Sequence, residues 1–183
     1  IDAVIGDYTR RHTADAVILL EPTRLEISPV QSGALTFRLT VPGRSIHAAM
    51  KAYGVSAIEK FVLLFNAINH LEAERHRNFR QPLYEDPKNI APINVGKVSG
   101  GVWHSTVAEE VVAEGRMGVL PGESQEAAKK ALETAIHLAA ESDQWLSQHP
   151  PKVEWFEGQF EPCETPLDHP FIRQLSSVHQ QVT

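Results

Sequence analysis

The sequence is poor in cysteine, has no cluster of basic residues and contains no long apolar run. Its single cysteine, Cys163, excludes a disulfide framework and a cysteine-based zinc site, and predicts a reducing compartment, the cytoplasm. Acidic residues outnumber basic ones by 23 to 17, for a net charge of −6, which argues against a nucleic-acid partner. The apolar runs are too short to span a bilayer, so we expect neither a signal peptide nor a membrane partner.

The two ends of the chain predict a fragment. The sequence opens at Ile1 without an initiator methionine, and it closes on an amphipathic helical pattern that lacks a stop signal. Its 183 residues suffice for one domain, or for one domain with pieces of another. We therefore expect a piece of a longer protein.

Between residues 33 and 160, strand patterns and helical patterns follow one another. "GALTFRLTVPG" alternates with period two, and "APINVGKVSGG", "VAEEVVAEGRMGV" and "KVEWFEGQF" predict three further strands. The first helix begins at Ser56, which forms a capping-box pattern with Glu59. The second begins near Ser124. The predicted apolar stripe of the first helix is Ile58, Phe61, Val62, Phe65 and Ile68, and that of the second is Ala128, Ala131, Leu132, Ala135, Leu138 and Trp145.

The order strand, helix, strand, strand, helix, strand is that of a ferredoxin-like α+β unit. Residues 31–161 are therefore predicted to form one four-stranded antiparallel sheet with two helices on one face. In this arrangement the apolar stripes of both helices pack against the sheet.

The flanking segments, 1–30 and 162–183, do not belong to that unit. "ADAVILLEPT" predicts a short buried strand over residues 16–20 that stops at Glu21, because Pro22 holds the preceding residue extended. A carboxylate at a strand end is a usual functional position in an α/β domain. The ferredoxin-like unit is thus predicted to be inserted into a different, incomplete α/β domain.

Four motifs in series resemble the acetylornithine deacetylase, succinyl-diaminopimelate desuccinylase and aminoacylase family. They are "ADAVILLEPT", then "VPGRSIHA" followed by "GVSAIEK", then "NVGKVSGG", and finally "EGRMGVLPGE". The family comprises metal-dependent amidohydrolases and exopeptidases, and the resemblance covers nearly the whole chain. It implies a zinc-hydrolase α/β domain carrying an inserted ferredoxin-like lid that also forms the homodimer.

The resemblance further implies an amide-cleaving parent enzyme that acts on an N-acylated amino acid or small peptide. Such an enzyme uses two zinc or cobalt ions, a carboxylate base and a metal-activated water. The family's other metal ligands lie before the equivalent of Ile1 or after that of Thr183. We therefore expect this chain alone to bind no metal and to be inactive.

Two residues take the leading roles by resemblance. Glu21 in "EPT" matches a metal-ligand carboxylate, and the alternative is a solvated residue at a strand end. His47 matches the lid histidine that reaches the neighbouring subunit's active site and stabilises the negative charge on the substrate carbonyl oxygen. For His47 the alternative is an exposed histidine without a role.

The other candidates are substrate contacts: Arg44, Asn94, Gly100, Gly101 and Arg116. Arg44 is equally well explained as a solvated arginine in a turn. The glycine pair is equally well explained as a plain turn. Two departures from the family pattern put the contact with the substrate carboxylate in question. Ser105 stands where many members have asparagine, and Gly118 where many have an arginine that Arg116 would have to replace. His104, beside Ser105, is the other histidine of interest.

Two other functions compete with the hydrolase. A free-standing ferredoxin-like module for regulation or dimerisation would have no need of the "EPT" segment or of the C-terminal helix. A nucleic-acid-binding domain is disfavoured by the acidity and by central strands without aromatic stacking pairs. For the dimer, Leu63, Leu64 and Leu71 are predicted to supply apolar surface beyond what one sheet face needs.

Overall fold

The computed structural model describes residues 14–84 and 86–182, which divide into two compact units. Ser32–Pro162 form the larger unit, and the segments before and after it form the smaller. None of the helices in the described ranges is long and apolar enough to cross a membrane. In chain order the elements are β1 (Val30–Gln31), β2 (Gly33–Pro42), a 3₁₀ segment (Ala48–Tyr53), α1 (Ala57–Asn78), a 3₁₀ turn (Pro87–Asn89), β3 (Ile93–Gly100), β4 (Glu110–Val119), α2 (Gln125–Glu141), β5 (Lys152–Trp155), β6 (Cys163–Glu164) and α3 (Pro170–Val182).

The larger unit is an α+β sandwich of one sheet and two helices. Its four strands lie in the order β3-β4-β2-β5, and every neighbouring pair is antiparallel. The central pair, β2 and β4, keeps one continuous register from Gly33–Val119 to Pro42–Glu110. The predicted ferredoxin-like fold, with both helices on one face, is confirmed.

Strict alternation along the central strands builds the core. Leu35, Phe37, Leu39 and Val41 of β2 are fully buried, while the intervening residues of that strand are partly exposed. On β4 the buried partners follow the same period. One face of the sheet is therefore apolar and carries the helices, and the other is polar.

The buried stripe of α1 differs from the predicted one. Ser56 caps the helix by accepting the N–H of Glu59 at 3.4 Å, but Ile58 and Val62 are 51% and 52% exposed, and Phe65 is exposed as well. Of the predicted stripe, Ile68 is fully buried and Phe61 partly so, and the other buried residues of this face are Ala57 and Leu64. Two adjacent faces of this helix are apolar at helical spacing, so periodicity alone does not select the one that packs on the sheet.

The second helix follows its predicted start but buries two residues that the pattern missed, Ile136 and Ala140. Ser124 caps α2 by accepting the N–H of Ala127 at 3.2 Å. Ala128 and Leu132 are buried as predicted, but the next buried position is Ile136, and Leu138 is exposed. The buried residues of α2 recur every four positions, and Leu138 does not fall on that spacing.

A buried ion pair joins the C-terminal half of α1 to the turn between β4 and α2. Arg75, 8% exposed, donates to both carboxylate oxygens of Glu123 at 2.7 and 2.8 Å and to the carbonyl of Gly118 at 2.8 Å. Glu123 also accepts the N–H of Leu120. Planar two-point pairing of this kind fixes orientation as well as distance.

The smaller unit contains a short antiparallel pair, β1 with β6, and the helix α3. The helix lies where the closing amphipathic pattern predicts one. The predicted buried strand at 16–20 is wrong: these described residues form no strand, and Val17 to Leu20 are exposed. A strand needs neighbours for its backbone N–H and C=O groups, and no described residue pairs with this segment.

Asp143, just after α2, ties that helix to α1. One carboxylate oxygen accepts Lys60 Nζ at 2.6 Å, and the other accepts the N–H groups of Trp145 and Leu146 at 3.0 and 2.9 Å. Partial burial raises the pKa of the carboxyl, but the Lys60 and backbone hydrogen bonds together outweigh it, so the pKa lies below the ordinary value of 3.8.

We predict that Asp143→Ala lowers the free energy of unfolding by about 1–3 kcal/mol at pH 7, measured by urea denaturation. Because the folded-state pKa is depressed, this contribution is complete above the unfolded pKa and is lost as the pH falls through the folded value. The deficit should therefore shrink below about pH 4. The exposed Glu141→Ala on α2 is the control. A deficit that persists undiminished at pH 2.5 would contradict the assignment.

Candidate functional site

His47 stands where the chain leaves β2 and begins the 3₁₀ segment. Gly43 makes this exit possible, because a Cβ there would lie 2.5 Å from the carbonyl oxygen of Val55. His47 caps the segment: its Nδ1 accepts the N–H of Ala49 at 3.2 Å. In the neutral ring Nδ1 is then the acceptor and Nε2 carries the proton. The exposed imidazole therefore presents one free N–H donor to a ligand.

Backbone hydrogen bonds join the His47 segment to the loop after β3. His47 and Thr106 form an isolated antiparallel bridge. Ala48 N–H donates to Ser105 O at 2.8 Å, and Val107 N–H donates to Ile46 O at 2.8 Å. Two segments far apart in the sequence thus behave as one short piece of sheet, and the position of His47 follows that of the loop.

The glycine pair ends β3 and starts this loop. A Cβ on Gly100 would lie 2.7 Å from the carbonyl oxygen of Glu110, and Gly101 has φ +71°, a conformation that other residues rarely adopt. The glycines thus provide a close approach and a left-handed turn. They give Trp103, 53% exposed, its place beside His47, with ring centroids 6.2 Å apart at 62°.

An open groove lies between the 3₁₀ segment, the start of α1 and the glycine loop. Its lining includes Ile58, Gly101, Trp103 and His104, together with the Lys51–Glu59 ion pair, in which Nζ lies 2.6 Å from the carboxylate. The groove lining is mixed, with the apolar side chains of Ile58 and Trp103 beside His104 and the charged pair. Sequence reasoning noted His104 but missed Trp103, whose signal was its place two residues after Gly101.

Arg44, a predicted substrate contact, is engaged by an aromatic ring. Its backbone pairs with Val55, and its guanidinium lies over the ring of Trp145 at 5.4 Å. Trp145 is itself fixed by its indole N–H, which donates to Pro42 O at 3.0 Å. The interaction is of the cation–π type, which orders the turn that leads to His47.

Asn94 and Arg116 form a second group, separate from His47. They are directly opposed in the β3–β4 register, and both are exposed on the polar face of the sheet. Gly100 lies six residues further along β3, so about 20 Å separates the two groups along the strand. The structure thus brings His47, Gly100 and Gly101 together, and places Asn94 and Arg116 elsewhere in the same sheet.

Gly118 has no room for the arginine that the family resemblance implies there. A Cβ at this position would lie 2.5 Å from Ala91 Cα, and the Gly118 carbonyl is already bonded by Arg75. Arg116 is exposed, on the opposite face of the strand from Met117. That Arg116 replaces the arginine implied at position 118 stays a prediction.

Glu21 lies in the smaller unit and is exposed. A tight turn follows it, in which Thr23 N–H donates to Glu21 O, and Arg24 and Leu25 have positive φ. His179 Nε2 donates to Leu25 O at 2.6 Å and so links the turn to α3. Within the described part of the chain, no three His, Cys, Asp or Glu side chains are grouped as a metal site would require.

The larger unit matches known proteins across most of its length. The family model described as peptidase dimerisation domain matches residues 30–144, more than half of the chain. A deformylase of N-formyl-4-amino-5-aminomethyl-2-methylpyrimidine from Halalkalibacterium halodurans is 29% identical over 156 residues. The enzyme of the same name from Bacillus subtilis is 26% identical over 145 residues.

These two alignments cover 80% and 75% of this chain but only 36% and 34% of the relatives, so the chain spans about a third of their length. Among solved structures, aminopeptidase PepT from Bacillus cereus has a TM-score of 0.56 at 16% identity, over 84% of this chain and 36% of that one. An amidase of the hydantoinase/carbamoylase family from Burkholderia phymatum has 0.57 at 19%, over 89% and 39%. These likenesses show a shared fold.

The family match agrees with the fold and with the motifs on which the resemblance rests. It spans β2 to α2, and so includes the bridge at His47, the glycine loop and the Arg75–Glu123 anchor. The chain belongs to the peptidase dimerisation domain family.

Proposed function

We propose that this chain is the lid and dimerisation part of a metal-dependent hydrolase that cleaves the amide bond of an N-acylated small molecule. The observation that carries the proposal is the geometry of His47. Its Nδ1 is occupied by the Ala49 N–H, and its exposed ring lies against Trp103, a residue that lines the open groove. The names of the curated relatives add a formyl group to the candidate acyl groups, beside acetyl, succinyl and aminoacyl.

Amide hydrolysis builds negative charge on the carbonyl oxygen as water adds to the carbon. A fixed N–H donor aimed at that oxygen stabilises the transition state more than the ground state and therefore raises kcat. In this proposal His47 supplies that donor, and the glycine loop and the 3₁₀ segment hold it in place. Asn94 and Arg116 stay predicted contacts for another part of the substrate.

The metal site lies largely outside the described residues. Two zinc or cobalt ions in the whole enzyme would activate water, and among the described residues Glu21 is the predicted ligand. One carboxylate does not fit a closed zinc site, which takes three or four ligands. A cytoplasmic location, where thiols stay reduced, accords with the single cysteine, Cys163, which is exposed and unpaired.

A homodimer through the lid accords with the surface that the fold leaves uncovered. Leu64, predicted to supply apolar surface for the dimer, is instead buried in the core, and Leu63 and Leu71 pack against that core. The exposed apolar stripe on α1 consists of Ile58, Val62 and Phe65, and α1 packs beside β3. β3 is an edge strand whose outer side is unpaired within the described sheet. Edge strands invite pairing with a second chain, and an apolar helix face next to one favours burial in the same contact.

We predict that in the whole enzyme His47→Ala lowers kcat by roughly 10²–10³ and leaves metal content and fold unchanged. The assay would compare N-formyl, N-acetyl and N-succinyl amino acids, dipeptides and an N-formylated aminomethylpyrimidine. His47→Asn separates two effects, because it can still cap the 3₁₀ segment but lacks the imidazole reach. His137→Ala, an exposed histidine on α2, is the matched control. Near-normal kcat in His47→Ala would contradict the proposed oxyanion role of His47.

A second prediction concerns the dimer of this 183-residue chain. Sedimentation velocity at tens of micromolar should show a dimer for the unchanged chain and a monomer for Val62→Glu, because a charge in the centre of the apolar stripe cannot be buried unpaired. Leu138→Glu changes an equally exposed apolar residue on α2 and should stay dimeric. A strictly monomeric unchanged chain would exclude the lid dimer.

A third prediction concerns the metal. Titration of this chain with zinc in a calorimeter should show no micromolar binding, since Glu21 provides one ligand where three or four are needed. Glu21→Ala should leave the weak heat signal unchanged. Micromolar affinity that disappears in Glu21→Ala would mean that this chain holds a metal site of its own.

A further inference from the structure

We infer that Trp103 is a positioning residue for His47, which deepens the proposed function and rests on it. The indole and the imidazole meet in an edge-to-face arrangement, with ring centroids 6.2 Å apart at an angle of 62°. Aromatic pairs prefer this geometry to a face-to-face stack. The contact joins the residue proposed to touch substrate to a side chain that sequence reasoning had left without a role.

His47 needs a second point of support. Its side chain is exposed, and the hydrogen bond from Ala49 N–H to Nδ1 fixes one atom of the ring. One such bond leaves the ring free to rock about that atom, and an exposed side chain otherwise samples several rotamers. The indole of Trp103 blocks the rocking of the imidazole toward one side, so that the Nε2–H of His47 keeps one direction.

The loop that carries Trp103 is held without its indole. The Trp103 carbonyl accepts the N–H of Thr106 at 3.1 Å and its hydroxyl at 2.9 Å. Gly101 N–H donates to Glu110 O at 3.2 Å, and Ala48 N–H donates to Ser105 O at 2.8 Å. All of these bonds are made by main-chain groups or by Thr106. Removing the half-exposed indole therefore leaves the loop and the fold in place.

A third ring defines the position of the indole. His104 lies on Trp103 with centroids 5.3 Å apart, and its Nδ1 is 2.9 Å from Ser105 Oγ. Trp103 thus contacts two imidazoles, and the His104–Ser105 hydrogen bond anchors one of them. Successive contacts thus run from Ser105 to His104, from His104 to Trp103 and from Trp103 to His47. Through them the loop holds the ring of His47, the proposed oxyanion donor, in one orientation. Displacing a catalytic donor by about 1 Å can cost as much as a hundredfold in rate.

Nuclear magnetic resonance on this chain tests the contact without any catalysis. The His47 ring signals, assigned with His47→Asn, should shift toward those of a free imidazole and show greater ring motion in Trp103→Ala. Trp103→Phe keeps a ring beside His47 and should retain most of the shift and the order. Tyr53→Ala removes another exposed aromatic, from the 3₁₀ segment that His47 caps, and should leave the His47 signals unchanged. Unchanged His47 signals in Trp103→Ala would overturn the inference.

Kinetics of the whole enzyme, on the N-acyl substrate that it cleaves best, separate positioning from substrate binding. Trp103→Ala should lower kcat roughly tenfold with KM nearly constant, and Trp103→Phe should recover most of the loss. A raised KM with unchanged kcat would make Trp103 a substrate wall and overturn the positioning role. Loss of activity in His47→Ala but not in Trp103→Ala overturns this inference alone. Full activity in His47→Ala overturns the proposed role of His47, and this inference with it.

Discussion

The site depends on the short backbone bridge between residues 46–48 and 105–107. Two main-chain hydrogen bonds, from Ala48 N–H to Ser105 O and from Val107 N–H to Ile46 O, form the bridge between His47 and Thr106. They turn two loops into one piece of sheet. Because main-chain groups make these contacts, they fix the backbone of His47, and the inferred role of Trp103 concerns the direction of the His47 ring. The glycine turn at 100–101 and the close approach at Gly43 allow the bridge to form, and the groove lies beside it.

Much of the fold is predictable because each element carries its own local signal. The alternation from Leu35 to Val41 and the caps at Ser56 and Ser124 predict strand and helix starts that the structure confirms. The errors arise where burial depends on a neighbour. Two faces of α1 are apolar, and only the packed structure shows that Leu64 faces the sheet and Val62 does not. Residues 16–20 read as a strand, but pairing depends on residues far away in the sequence or in another chain.

The candidate site was less predictable than the fold. Single residues such as His47 and Glu21 have no distinctive spacing, so resemblance to a family, and not physical pattern, selected them. The structure adds what a pattern lacks: the cap that sets the proton on His47 Nε2, and the ring of Trp103 beside it. It also divides the predicted substrate contacts, because Asn94 and Arg116 lie about 20 Å along the sheet from Gly100. Distances between distant segments of the chain are not contained in local sequence.

The central claim is that His47 serves the active site of the neighbouring subunit, and mixing inactive subunits tests it most directly. Whole-enzyme subunits carrying His47→Ala would be exchanged with subunits carrying Glu21→Ala, and exchange would be confirmed with two different tags. The account predicts recovery to about a quarter of the unmutated activity, because half of the dimers are mixed and each of these has one intact composite site. Confirmed exchange without any recovered activity would contradict it, since each variant would then damage the site of its own subunit and no mixed dimer would contain an intact site.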